Sequence, residues 1–249
     1  MNDWVIPEWP APNNVKAIFT TRNGGVSRGL HGDYTSLNLA NHVKDNPIYV
    51  ERNRALLGQI LPSEPKWLKQ VHGPLPVWVS DDGHLLEGDA ALSCRNGTVC
   101  VVLVADCLPV FLCDTAGTVV SIIHAGWRGL ASGIIEKSVL AMRKHSHSRL
   151  IAWLGPAIGP NHFEVGEEVR EAFVQHDRNA ALAFMPRCKN HRNKWLADLF
   201  LLARQRLAEV GVTGVYGGGV CTFSDPTRFF SYRRDGETGR MAALIWLEA

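Results

Sequence analysis

The chain has 249 residues, 46% of them hydrophobic, with a formal net charge of +2 and a pI near 8.2. That is enough apolar material for one large domain or two small ones. A balance so near neutral, with no Lys/Arg block longer than a pair such as Arg233-Arg234, excludes a basic nucleic-acid stripe. No apolar run reaches the ~18 residues of a membrane span. Met1-Asn2-Asp3-Trp4 has neither the basic nor the apolar region of a signal peptide. The expectation is a cytoplasmic protein, a monomer or weak homodimer, that handles small molecules.

Val15–Thr21 reads as a strand, followed by the Gly-rich turn Arg22–Ser27 and a long irregular stretch from Gly29 to Asn46. Long loops of that kind in a compact domain are usually functional or mobile. Pro47 suits a helix start, with Val50, Leu56, Leu57 and Ile60 as its buried face. Trp67–Val71 alternates and is closed by His72. From Asp89 to His124 the chain is strand-rich, with turns at Arg95-Asn96-Gly97 and Asp114–Gly117.

Within that region, Val101–Val104 runs into Asp106-Cys107-Leu108-Pro109, and Val119–Ile123 runs into His124-Ala125-Gly126-Trp127-Arg128. Leu130–Arg143 reads as one helix, Leu150–Leu154 as a buried strand and Glu167–Val174 as a helix. Asp198–Val210 is an amphipathic helix stopped by Gly211. Val215-Tyr216 and Met241–Trp246 complete the strands. Gly217-Gly218-Gly219 lacks the spacing of a dinucleotide fingerprint and reads as a place where backbones pass closely. Strict βαβ alternation fails between Asp89 and His124, so a single α+β domain over residues 1–249, with mixed sheets sandwiched by helices, is expected.

The chemistry concentrates at strand ends. His72, Cys107 and His124 form a His/Cys/His set of the type that holds zinc with a fourth position left open. They stand 35 and 17 positions apart, so only the tertiary fold can bring them together. The same residues also fit a cysteine nucleophile with a histidine base. Asp106, next to Cys107, should point to the opposite face and brace the turn rather than orient a histidine.

Arg128, at a helix start, and Arg22, beside Gly24-Gly25, are possible anion contacts; a surface arginine and a charged turn are the plainer readings. His162 is placed as a cap of the following helix. His145-Ser146-His147 is expected to face solvent, and His31, His42, His84, His176 and His191 lie in polar context. Phe229–Arg234 reads as a strand with one core face, or as a stacking surface for a flat ring. Of six cysteines (Cys94, Cys100, Cys107, Cys113, Cys188 and Cys221), none is in CxxC spacing. Only Cys107 departs from the behaviour of a small buried hydrophobe.

Thr21-Arg22-x-Gly24-Gly25-Val26-Ser27, Ser36-Leu37-Asn38-Leu39, Gln70-Val71-His72-Gly73, Ala105–Pro109, His124–Gly129, Gly155-Pro156-x-Ile158-Gly159-Pro160 and Phe230–Arg234 occur in that order. With these motifs the chain resembles the YfiH/laccase-domain family, also called multicopper polyphenol oxidase-like or DUF152. The resemblance implies a four-layer α/β/β/α sandwich with mixed sheets, similar to a bacterial toxin cysteine hydrolase. It implies a catalytic zinc on His72, Cys107 and His124, with copper as the older assignment, and makes Arg22, Asn38, Arg128 and Arg233 expected substrate contacts. The implied activity is phosphorolysis of adenosine, inosine, guanosine and methylthioadenosine, together with deamination of adenosine. Two alternatives are a peptidoglycan-editing amidase acting on UDP-MurNAc–amino acid precursors and a copper-dependent polyphenol oxidase. The oxidase would need many paired histidines, and one exposed HxH does not supply them.

Overall fold

A computed structural model describes residues 3–29, 33–80, 85–187 and 193–249. His31, His84, His191 and Cys188 lie outside them. Strand β1 (Val15–Phe19) precedes helix α1 (Pro47–Gly58), which is capped by the Asn46 side chain. Short strands β2 (Leu68–Lys69), β3 (Pro76–Trp78) and β4 (Leu86–Glu87) lead into β5 (Ala90–Ser93), β6 (Cys100–Val104), β7 (Leu108–Asp114) and β8 (Val120–Ala125). Then come α2 (Trp127–Ala131), α3 (Ile134–Arg143), β9 (Leu150–Leu154), β10 (Glu164–Gly166) and α4 (Glu167–Val174). A 3₁₀ turn at Arg178–Ala183 is followed by β11 (Phe184–Pro186), β12 (Lys194–Ala197), α5 (Leu199–Glu209), β13 (Gly214–Gly217), α6 (Tyr232–Asp235) and β14 (Met241–Leu247).

Two sheets stack face to face. One is mixed, in the order β13-β9-β7-β8-β5-β3; the other is antiparallel, in the order β1-β14-β6. Along β7, Leu108, Val110 and Leu112 face one way, while Phe111 and Cys113 face the other. Both faces are buried, which is why the segment reads as a continuous apolar run rather than an alternating one. The first set packs under α3, α4 and α5 with Ile134, Phe173 and Leu202. The second set meets Phe19, Val102, Val104 and Ile245 between the sheets. Beyond the antiparallel sheet, Val101, Leu103 and Leu244 pack with Leu37, Leu39 and Leu57, the last from α1. The result is the four-layer order helix, sheet, sheet, helix.

Several local expectations change. The helix expected over residues 130–143 is broken, because Gly133 takes φ +86 between α2 and α3, a left-handed conformation that glycine adopts without steric cost. Val50 and Leu57 of α1 are buried, but Leu56 and Ile60 face solvent, and the polar Asn53 is buried instead. Asn53 donates to Ser27, Ser36 and Asn38 and accepts from the Val26 N–H, so the helix face is fixed by hydrogen bonds to the long loop. Phe229 and Phe230 are buried, but the segment turns into α6 rather than continuing as a strand. Gly217 does mark close approach: a Cβ there would stand 2.6 Å from the Leu154 carbonyl oxygen.

Candidate metal centre

Asp106 and Cys107 do not end one strand. They are the crossing by which the chain leaves β6 in the antiparallel sheet and enters β7 in the mixed sheet. The turn places Asp106 at φ +86, and its side chain fixes it there. Asp106 Oδ1 accepts from the Thr222 hydroxyl at 2.6 Å, and Oδ2 accepts from the Ser231 hydroxyl at 3.0 Å and the Arg233 N–H at 2.7 Å. The bracing role expected of this acid therefore holds.

Cys107 follows on the inter-sheet side of β7. Pro109 pairs with His124 across the β7·β8 ladder, so the same face of β8 presents His124. Gly126 lies beside both. A Cβ there would stand 3.1 Å from both Cys107 Sγ and His72 Cδ2, so the missing side chain leaves room for the cluster.

His72 arrives from a different element. The Gln70 amide donates to the Leu103 carbonyl at 2.9 Å and accepts from the Leu103 N–H at 2.8 Å, extending the free edge of β6. Two residues on, His72 takes φ +58, which turns three successive N–H groups toward one acceptor. That acceptor is Asp89, fully buried at the start of β5. Its Oδ2 accepts from the Val71 and Gly73 N–H groups at 3.1 and 2.8 Å, and Oδ1 accepts from the His72 N–H at 2.9 Å and His124 Nδ1 at 2.8 Å. One carboxylate thus holds both histidines.

The ligand atoms of His72, Cys107 and His124 all lie within 4.8 Å of one another, and the imidazole centroids are 4.7 Å apart. Exposure rises across the cluster: His124 is buried, Cys107 half-buried and His72 exposed. The open side therefore faces solvent at His72. Burial alone would raise the Cys107 thiol, but the His124 charge beside it prevails and holds it at about 6. Burial would likewise lower His124; the Cys107 thiolate and Asp89 instead lift it to about 9. The Asp89 carboxyl stays below the usual carboxylate range, because the bonds from His124 and Gly73 outweigh its burial. A soft thiolate and two imidazoles, one with its second nitrogen fixed by a carboxylate, form a donor set that fits zinc. Because Nδ1–H of His124 is bonded to Asp89, Nε2 is the nitrogen left for a metal or a proton.

Arg22, Asn38, Arg128 and Arg233 are placed differently. Arg22 donates to the carbonyls of Thr35 and Pro226 and stacks over Phe230 at 4.7 Å. Asn38 is buried and bonds Ala40, Asp45 and the Arg240 N–H. Arg233 donates to the Glu164 carbonyl at 2.8 Å and lies over Phe163. Arg128 is exposed, its guanidinium over the Trp127 ring at 4.4 Å. His162 caps no helix; it stacks on Phe223, and α4 begins at Glu167 after Gly166, with no side-chain cap.

Asp89, Gln70, Gly126 and Arg240 were not singled out from sequence. For Asp89 the available signal was an acid abutting the small, wholly buried strand Ala90–Ser93.

A family model described as multi-copper polyphenol oxidoreductase laccase matches residues 16–248. A Pseudomonas aeruginosa protein named purine nucleoside phosphorylase is 50% identical over 100% of both chains. An Escherichia coli K12 protein named purine nucleoside phosphorylase YfiH is 49% identical, covering 99% of this chain and 100% of the relative. The crystal structure of a Neisseria meningitidis protein assigned to DUF152 superposes with a TM-score of 0.92 at 46% identity, covering 99% of this chain and 100% of that one. With the matched region spanning nearly the whole sequence and the fold shared, the chain belongs to the YfiH/DUF152 family of laccase-domain proteins.

Proposed function

We propose that the protein is a zinc-dependent purine nucleoside phosphorylase that also deaminates adenosine. The observation that carries the reading is the convergence of His72, Cys107 and His124 around an opening, with Asp89 fixing the imidazoles behind it. Relatives named purine nucleoside phosphorylase, matched over their full length, support the reaction class.

In phosphorolysis a phosphate oxygen forms a bond to ribose C1′ as the C1′–N9 bond breaks. The electron pair leaves with the purine, which takes up a proton, and the products are ribose 1-phosphate and free base. His72, Cys107 and His124 would hold the zinc, which would supply Lewis-acid chemistry and could lower the pKa of a water to ~7. The chain's own part is positioning. Asp89 holds Nδ1–H of His124 and the 71–73 backbone in register, and Asp106 locks the turn that presents Cys107. Arg128 is a rim group available to a phosphate or a ribose hydroxyl.

Copper oxidase chemistry fits the donors poorly. Among the described residues only two groups of three or more His, Cys, Asp and Glu side chains are placed to share an ion, and each holds at most two histidines. A His₂Cys set alone would suit a blue copper, but a multi-copper oxidase needs a further histidine-rich cluster beside it, and the second group, Glu136, His176 and Glu209, offers one imidazole.

The test is phosphate-dependent release of base from inosine and adenosine, with elemental analysis of the same preparation. About one zinc per chain and ribose 1-phosphate as co-product are expected. Base release independent of phosphate would overturn the phosphorylase reading.

A second reading rests on the chain Cys107–His124–Asp89, which has the order nucleophile, base and orienting acid of a thiol hydrolase. An amidase acting on UDP-MurNAc–amino acid precursors would use it. Full activity in zinc-stripped protein, abolished by Cys107 alkylation, would favour that reading.

A further inference from the structure

We infer that Arg240 is the residue that binds the anionic co-substrate, with inorganic phosphate held by its guanidinium beside the metal centre. The inference rests on the phosphorylase reading above. Met241 pairs with Val104 across the β14·β6 ladder, so Arg240 precedes the end of the ladder at which β6 runs on into Ala105, Asp106 and Cys107. Its backbone is tied down, the N–H donating to the buried Asn38 side chain at 3.0 Å and the carbonyl accepting from the Leu39 N–H.

The guanidinium is fixed at one corner only. Nη1 donates to the Thr238 and Gly239 carbonyls at 2.6 and 3.0 Å, while Nε and Nη2 have no protein acceptor among the described residues. No carboxylate pairs with it among the described residues, although the side chain is half-buried and burial pulls its proton affinity down. A partly desolvated guanidinium edge with no acceptor is costly. Asp106, an acid whose charge acts on it, already has its oxygens engaged by Thr222, Ser231 and Arg233. An incoming anion supplies what the fold withholds. The Nε/Nη2 edge is the planar fork that matches two oxygens of a phosphate.

The surroundings agree with a ligand-facing role. The Tyr232 ring, 60% exposed, lies with its centroid 5.8 Å from the guanidinium carbon and forms one wall. Arg22 and Arg233, by contrast, spend guanidinium N–H groups on backbone carbonyls, and Asn38 is spent on Ala40 and Asp45.

The experiment is phosphate-saturation kinetics of inosine phosphorolysis on wild type, Arg240→Gln and Arg240→Lys, each with zinc content and melting temperature measured. A parallel titration follows thermal stabilisation by phosphate alone. Arg240→Gln should raise the KM for phosphate about tenfold to hundredfold, the loss of one charged bidentate contact. The KM for inosine and the zinc content should be little changed. Arg240→Lys should recover part of the loss, since the charge returns without the fork. Phosphate should stabilise wild type and fail to stabilise the Gln variant.

An unchanged phosphate KM in Arg240→Gln, or a fall in kcat alone, would overturn the inference. A phosphate effect confined to Arg128→Gln would do the same and move the anion to α2. If wild type shows no phosphorolysis yet phosphate stabilisation is lost in Arg240→Gln, the anion site stands and the phosphorylase reading falls. Should the Gln variant not fold, the Lys variant carries the test, and wild-type phosphate KM in it would refute the fork.

Discussion

Asp89→Asn separates the orientation of the histidines from their presence. Each Asp89 oxygen accepts two donors: the His72 N–H and His124 Nδ1 on one, the Val71 and Gly73 N–H groups on the other. An amide replaces one acceptor oxygen with a donor, so whichever way it flips, two donors face an N–H group. A buried unsatisfied donor costs about 1–3 kcal/mol, which gives about 2–6 kcal/mol for two. Val71 and His72 are exposed enough for water to reach their backbone, which favours the lower end, about 2–3 kcal/mol. Where the NH₂ group faces His124, the imidazole must reverse its tautomer and put its proton on Nε2, the nitrogen a metal requires. Loss of such an outer partner typically costs tenfold to hundredfold in metal affinity. The assay is zinc competition against a chromophoric chelator, with urea unfolding of the metal-free protein alongside. Zinc affinity within twofold of wild type, in a variant that is destabilised as expected, would show that Asp89 holds the fold and not the ligands.

Cys107→Ala should abolish nucleoside turnover and leave a folded protein, while Cys100→Ala, deep between the sheets, should cost only ~1–2 kcal/mol of packing; equal effects on activity would remove the special role of Cys107. In zinc-stripped protein, Cys107 held at about 6 beside His124 at about 9 is a thiolate at neutral pH. Its alkylation by iodoacetamide should be near its plateau at pH 7–8 and fall as pH drops through 6, where the thiolate takes up a proton. A midpoint near the ordinary thiol value of about 8.5 would contradict this. Cys100, whose thiol burial pushes up strongly, should stay unreactive over the same range. Gly126→Ala, at an ordinary φ of −64, should keep the melting temperature but weaken zinc binding, because the added Cβ crowds Cys107 Sγ and His72 at 3.1 Å; unchanged zinc affinity would mean that the cluster has slack.

The sequence by itself determined the residue types and most of the elements. Short apolar runs rich in β-branched residues and bounded by turns read as strands buried on both faces, and β6, β7, β8, β9 and β14 are where those runs stand. The Glu167–Val174 helix, the capped Asp198 start of α5 and the Gly211 stop follow from local rules that act within one or two turns. The motif residues His72, Cys107 and His124 were legible for the same reason, since a thiol and imidazoles abutting apolar strands are chemically conspicuous. Only the tertiary structure decided what surrounds them. That Cys107 sits on the crossing between two sheets depends on which strands pair, and pairing is a long-range property that no local window contains. Asp89 reaches His124 across the β5·β8 ladder and the 71–73 turn at once. Arg240 stands near Cys107 only because β14 pairs with β6, joining residues more than 130 positions apart. Composition and periodicity report which side chains are buried or exposed. Which half-buried charge goes without a partner depends on how the layers are stacked.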